Sequence, residues 1–122
     1  MTPTARNLRH LREAGWHVAV VEMWIPRTFI RRDAFGWADV LAVHSEQSGA
    51  LLVQVTTGSH AANRAAKARG NPALVAWLVA GNRLTVHGWR KLKGRWVVAE
   101  RSLRVEEVVT RDNRTDGAGG RR

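Results

Sequence analysis

Residues 37–57, WADVLAVHSEQSGALLVQVTT, contain two strand-like runs, Trp37–His44 and Ala50–Thr57, divided by the polar link Ser45–Gly49. The link has hairpin length, so the two runs are expected to pair antiparallel. Side chains two apart on a strand share a face, which sets Gln54 and Thr56 on one side and Val53 and Val55 on the other. Asp39 lies near the start of the first run, where hairpin pairing could bring it close to Gln54.

Working outward, Ser59 reads as the cap of a helix through Ala61, Ala62, Ala65 and Ala66, whose small side chains permit a close approach to a sheet. Asn71 and Pro72 start a second short helix, carried by Leu74, Trp77 and Leu78 and stopped near Gly81. Two further strands follow, Arg83–Arg90 and Arg95–Leu103, joined across Lys91, Leu92, Lys93 and Gly94. Upstream, Thr2 and Pro3 open a helix with Leu8 and Leu11 among Arg6, Arg9, Arg12 and Glu13, ended by Gly15. His17–Ile25 is rich in Val, Ala and Ile and stops at Pro26, which predicts a mostly buried strand containing Glu22. Pro26–Gly36 has no sustained period and reads as a basic loop that could enter the next strand. The order helix, three strands, helix, helix, two strands predicts an α/β fold, a sheet with helices packed on it.

The 122 residues allow one domain, expected over 1–110, and exclude large multidomain enzymes. Twenty Lys and Arg against ten Asp and Glu give a formal net charge of +10, for which a polyanionic partner is the simplest explanation. Residues 111–122, RDNRTDGAGGRR, are polar and glycine-rich and are expected to be disordered. The absence of cysteine excludes disulfides, thiolate zinc sites and a Cys nucleophile, and fits a cytoplasmic setting. The opening MTPTARNLRHLREAG lacks the apolar core of a signal peptide, and no apolar run approaches the roughly 20 residues of a membrane-spanning helix.

Glu22 and Asp39 are candidate ligands for a hard divalent cation, with the Gln54 carbonyl as a neutral third ligand. Such an ion, Mg²⁺ or Mn²⁺, neutralises charge at a scissile phosphate and lowers the pKa of water. The plainer alternative is that each strand carboxylate is a rim group or an ion-pair partner. His60 could donate to phosphate or transfer a proton, or be a surface residue at a helix start. It is not read as a zinc ligand, because His10, His17, His44 and His87 have no compact metal spacing with it. Arg27, Arg31 and Arg32 form one basic cluster and Arg90, Lys91, Lys93 and Arg95 another, both suited to phosphates. Trp89 and Trp96 beside the second cluster could stack bases or pack the sheet.

Over roughly Leu8–Ala68 the sequence resembles the restriction-endonuclease-like superfamily, especially its small resolvase-like and phage-encoded members. The family pattern is an acid on the first helix or strand, an Asp opening the second strand, and Glu or Gln, any residue, Lys on the third. Here the acid is Glu22, with Glu13 as the alternative, the Asp is Asp39, and the third-strand pattern is Gln54, Val55, Thr56. The resemblance implies a central mixed sheet flanked by helices and a Mg²⁺- or Mn²⁺-dependent deoxyribonuclease, of phage origin and acting in the host cytoplasm. It also implies pairing of two copies. Thr56 departs from the pattern, since a hydroxyl cannot supply the ammonium charge of the family's lysine. Lys67, Arg64 and His60 on the following helix are the replacements expected nearby. The rival readings are a catalytically weak or inactive DNA-binding module and an interaction protein with a basic surface.

Overall fold

The computed structural model describes residues 1–28 and 30–107, with Arg31 described as backbone alone. The stretch 111–122, expected to be disordered, lies outside the described residues. Helix α1 (Pro3–Glu13) starts where Thr2 Oγ1 accepts a hydrogen bond from the Ala5 amide at 3.1 Å and Pro3 occupies the first turn. Both features satisfy or remove amides that a helix start leaves without partners.

Strands β1 (His17–Val20), β4 (Val40–Val43), β5 (Leu51–Thr57), β6 (Arg83–Leu92) and β7 (Arg95–Leu103) form a mixed sheet in the order β1-β4-β5-β6-β7. Strands β2 (Met23–Ile25) and β3 (Ile30–Arg32) make a separate two-stranded ribbon. The expected 37–57 hairpin forms as the antiparallel β4–β5 pair. Strand β5 then leads through a 3₁₀ turn (Gly58–His60), α2 (Ala61–Ala68) and α3 (Pro72–Val79) to β6, which pairs parallel with it. Parallel pairing demands such a crossover, because a tight turn can join only antiparallel neighbours. Strands β6 and β7 are joined by Lys93 and Gly94 at φ 51° and 78°, the paired positive dihedrals that suit a two-residue hairpin turn.

The sheet is covered on both faces. Leu11 of α1 packs with Val40, Ala42, Leu51 and Val53 on one side. Ala65, Ala68, Leu74 and Leu78 of α2 and α3 pack with Leu52, Leu84 and Val86 on the other. Each fully buried Leu or Val contributes about 1.5–3 kcal/mol relative to exposure, so these two layers are the main cohesive force. Gly88 on β6 lets the sheet approach α2: a Cβ there would stand 3.0 Å from Ala61 Cβ and 3.2 Å from Gly58 Cα. No helix among the described residues is long and apolar enough to cross a membrane.

Four local expectations change. The run 17–25 is not one mostly buried strand: β1 stops at Val20, lies at the sheet edge, and exposes His17, Ala19 and Val20. An edge strand covered by a helix on one face alone leaves its other face to solvent. Glu22 therefore sits in the link between β1 and β2 rather than inside a strand. The basic segment 26–36 is partly strand, because Met23, Trp24 and Ile25 find partners in Arg32, Arg31 and Ile30. Ser59 does not cap α2; the 3₁₀ turn intervenes, and its Oγ lies 3.2 Å from Thr57 Oγ1 instead.

Candidate metal and phosphate site

Asp39 precedes β4 but is already held as sheet. Its amide donates to Val53 O and its carbonyl accepts from the Val21 amide, both at 2.9 Å. The register Val40↔Val53 places Asp39 opposite Gln54 on the α2 side of the sheet, as hairpin pairing suggested. The Val21 bond carries the chain from β1 past Asp39, so the next residue, Glu22, arrives beside it. The Glu22 and Asp39 side chains are hydrogen-bonded to each other, and Asp39 Oδ2 also accepts from the Val55 amide at 2.8 Å.

Two carboxyl groups can share a hydrogen bond only if one holds a proton. Burial first, then the Glu22 hydrogen bond, pushes the Asp39 pKa up to about 7, against the opposing pull of the Val55 amide. The negative charges of Glu22 and Asp33 push in the same direction. A divalent cation is the natural substitute for that shared proton. Gln54 lies beside the pair, its Nε2 donating to Trp37 O, an orientation that leaves the amide oxygen available as a ligand. Carboxylate and amide oxygens are the donor set that hard cations prefer, so these residues fit Mg²⁺ or Mn²⁺.

Glu22, Asp39, Gln54 and Thr56 line one cavity of about 460 Å³, together with His60 and Arg64. The Trp37 indole N–H donates to Arg64 O at 2.9 Å and so ties α2 to the turn that delivers Asp39. Arg64 Nε is buried and has no hydrogen-bond partner, and the Arg64 side chain brings a positive charge to the cavity wall. His60 Nδ1 lies 2.8 Å from Thr57 Oγ1. Lys67, in contrast, is exposed on α2 and does not line the cavity. Glu13, the alternative acid, is on α1, paired with Arg9 at 3.4 Å and outside the cavity.

The cavity is also lined by Arg6, Trp89 and Trp96; sequence reasoning singled out the two tryptophans for stacking or packing but did not bring them, or Arg6, to the acids. The Arg6 guanidinium sits 3.9 Å from the Trp96 ring centroid and 5.7 Å from that of Trp89. The basic face of the first helix and the two tryptophans were each visible, but nothing local joins them. Trp89 is buried and packs, whereas Trp96 is 46% exposed.

Arg90, Lys91, Lys93 and Arg95 are all exposed. The β5–β6 ladder ends at Thr57↔Trp89, while the β6–β7 ladder runs on to Leu92↔Arg95. This basic hairpin tip consequently projects past the same sheet end that carries Thr56 and Thr57. Arg27 and Arg32 are exposed on the β2–β3 ribbon, which starts immediately after Glu22.

A second polar cluster lies on the opposite face, beneath α1. Asn7 Oδ1 accepts from Trp89 Nε1 at 2.9 Å and from His87 Nδ1 at 3.0 Å. Burial lowers the His87 pKa to about 4, although the Glu100 charge pulls it upward. No family model matches the sequence, and neither a curated protein nor a solved structure matches it.

Proposed function

We propose that the protein is a metal-dependent DNA phosphodiester hydrolase built on a restriction-endonuclease-like sheet. The observation that carries this reading is the meeting of the Glu22 and Asp39 carboxyls beside Gln54 and Arg64 in one cavity. Two acids pressed together in a basic protein raise each other's energy unless a cation or proton joins them. Helix α1, the main-sheet strands β1, β4 and β5, and helix α2 follow one another with the β2–β3 ribbon inserted, and the parallel β5–β6 pair makes the sheet mixed, which supports the resemblance in the sequence.

Glu22 and Asp39, with Gln54, would hold Mg²⁺ or Mn²⁺, which supplies positive charge and water activation next to a phosphate. Arg64 donates to the phosphate from the α2 side and takes the position expected for Lys67. His60 offers a further donor at the cavity mouth. Arg6, fixed over Trp96, adds charge from the α1 side, and the tip from Arg90 to Arg95 follows the polynucleotide backbone. The contacts are to phosphate, so structure rather than base sequence governs substrate choice.

Incubation with branched, nicked, single-stranded and linear duplex DNA in Mg²⁺ or Mn²⁺ tests the proposal. Divalent-dependent products that disappear in Asp39→Ala are the expected result. Thr56 lines the cavity where the resemblance expects lysine, and this favours a second reading, a DNA-binding module without catalysis. Salt-sensitive binding with no product from any substrate would select it. Lack of binding at moderate salt would reject both readings in favour of a protein-interaction surface. Sedimentation with and without a branched duplex tests the pairing of copies.

A further inference from the structure

We propose that His10, His87 and Glu100 form a second metal site, for a Zn²⁺-class transition-metal ion, on the face of the sheet opposite Asp39 and Gln54. His10 comes from α1, while His87 and Glu100 are directly paired across β6 and β7. One ligand atom from each residue lies within 4.8 Å of the other two. His10 Nε2 and Glu100 Oε2 are 2.5 Å apart, and His87 Nε2 is 3.9 Å from the same oxygen. A tetrahedral ion with bonds of about 2.0–2.2 Å holds its ligand atoms roughly 3.3 Å apart. The required shifts are about 1 Å and fall on His10 and Glu100, whose side chains are 31% and 51% exposed.

The buried anchor is already oriented. Trp89 Nε1 can only donate, so the Asn7 atom facing it must be the carbonyl oxygen, and His87 Nδ1 must donate to that same oxygen. In the neutral ring, Nε2 then carries the lone pair and faces Glu100. Metal-binding histidines are commonly fixed by a hydrogen bond of this kind from their other nitrogen. The ion would replace the direct contact between His10 Nε2 and Glu100 Oε2. Two imidazoles and one carboxylate favour Zn²⁺ over Mg²⁺, so the site differs in chemistry as well as position from the acid pair.

The three residues also line a cavity of about 570 Å³, which leaves room for a water or small ligand at the fourth position. Binding would tie α1 to the β6–β7 hairpin. The start of α1 supplies Pro3, Thr4 and Arg6 to the other cavity, and zinc would therefore brace that wall.

The experiment is titration of the tag-free, metal-stripped full chain with Zn²⁺ by calorimetry and with Co²⁺ by visible absorption. One equivalent is expected to bind below about 100 µM. His10→Ala and Glu100→Gln should each weaken Zn²⁺ by roughly tenfold or more and abolish the zinc-induced rise in melting temperature. Asp39→Asn should retain wild-type zinc affinity. The site is overturned if wild-type protein shows no saturable binding, or if Glu100→Gln, with a circular dichroism spectrum matching wild type, binds zinc equally well. It is also overturned if Asp39→Asn abolishes binding while Glu100→Gln preserves it, since the ion would then occupy the acid pair. Failure of DNA cleavage does not bear on any of these readouts.

Discussion

Asp39 combines a structural cost with a chemical use. Its carboxyl has a folded pKa raised from 3.8 to about 7, so the folded chain holds a proton that the unfolded chain releases. Its contribution is most favourable below the unfolded value and is lost as pH rises through 7. The full shift corresponds to an upper limit of about 4 kcal/mol, reduced by relaxation of the cavity. Asparagine at this position can still accept from the Val55 amide and can donate to Glu22, without adding charge. Asp39→Asn should thus be about 1–2 kcal/mol more stable than wild type at pH 8 without metal, with the difference vanishing toward pH 4. Chemical denaturation of both proteins across that range checks it. Millimolar Mg²⁺ should stabilise wild type at pH 8 and leave Asp39→Asn unchanged. Thr56 gives a prediction of opposite sign: Thr56→Lys places an ammonium in the cavity and should accelerate DNA cleavage about tenfold or more. The same charge should lower the Asp39 pKa, which carboxyl-carbon NMR titration would record. Both acids were legible as residue types in the sequence. Their contact was not, because Glu22 reaches Asp39 through the break after β1, a feature that the strand-like composition of 17–25 conceals.

At the scale of elements, the 37–57 hairpin carried reliable local information: alternating faces, a polar link of suitable length, and an acid opposite Gln54. The helix that follows was equally visible in its alanines, but its start was displaced by a 3₁₀ turn that Ser59 does not reveal. The close approach of α2 to β6 depends on Gly88, where any side chain must enter space held by Ala61 and Gly58. Gly88→Val should cost about 1–3 kcal/mol in urea unfolding, the usual penalty for overpacking a buried contact. It should also reduce cleavage, because α2 carries Arg64. The strand 17–25 misled for a physical reason: β-branched residues mark extended backbone, but burial depends on what the neighbouring elements cover.

For the whole molecule, the excess positive charge becomes directional through the β6–β7 tip. If that tip follows DNA, the double substitution Lys91→Gln and Lys93→Gln should reduce the slope of log affinity against log salt by about 2 in magnitude. Fluorescence anisotropy over a salt series measures the change, and base sequence should have little effect on it. Composition and periodicity alone determined the α/β class, the hairpin and the two helices and two strands that follow it, the basic character and the absence of thiol chemistry, since these follow from residue type and spacing along a few turns of chain. The edge position of β1, the Glu22–Asp39 contact, the stacking of Arg6 on Trp96 and the convergence of His10, His87 and Glu100 required tertiary structure. Each joins residues from separate elements, and sheet register, crossover and helix docking fix those meetings only when the whole chain packs.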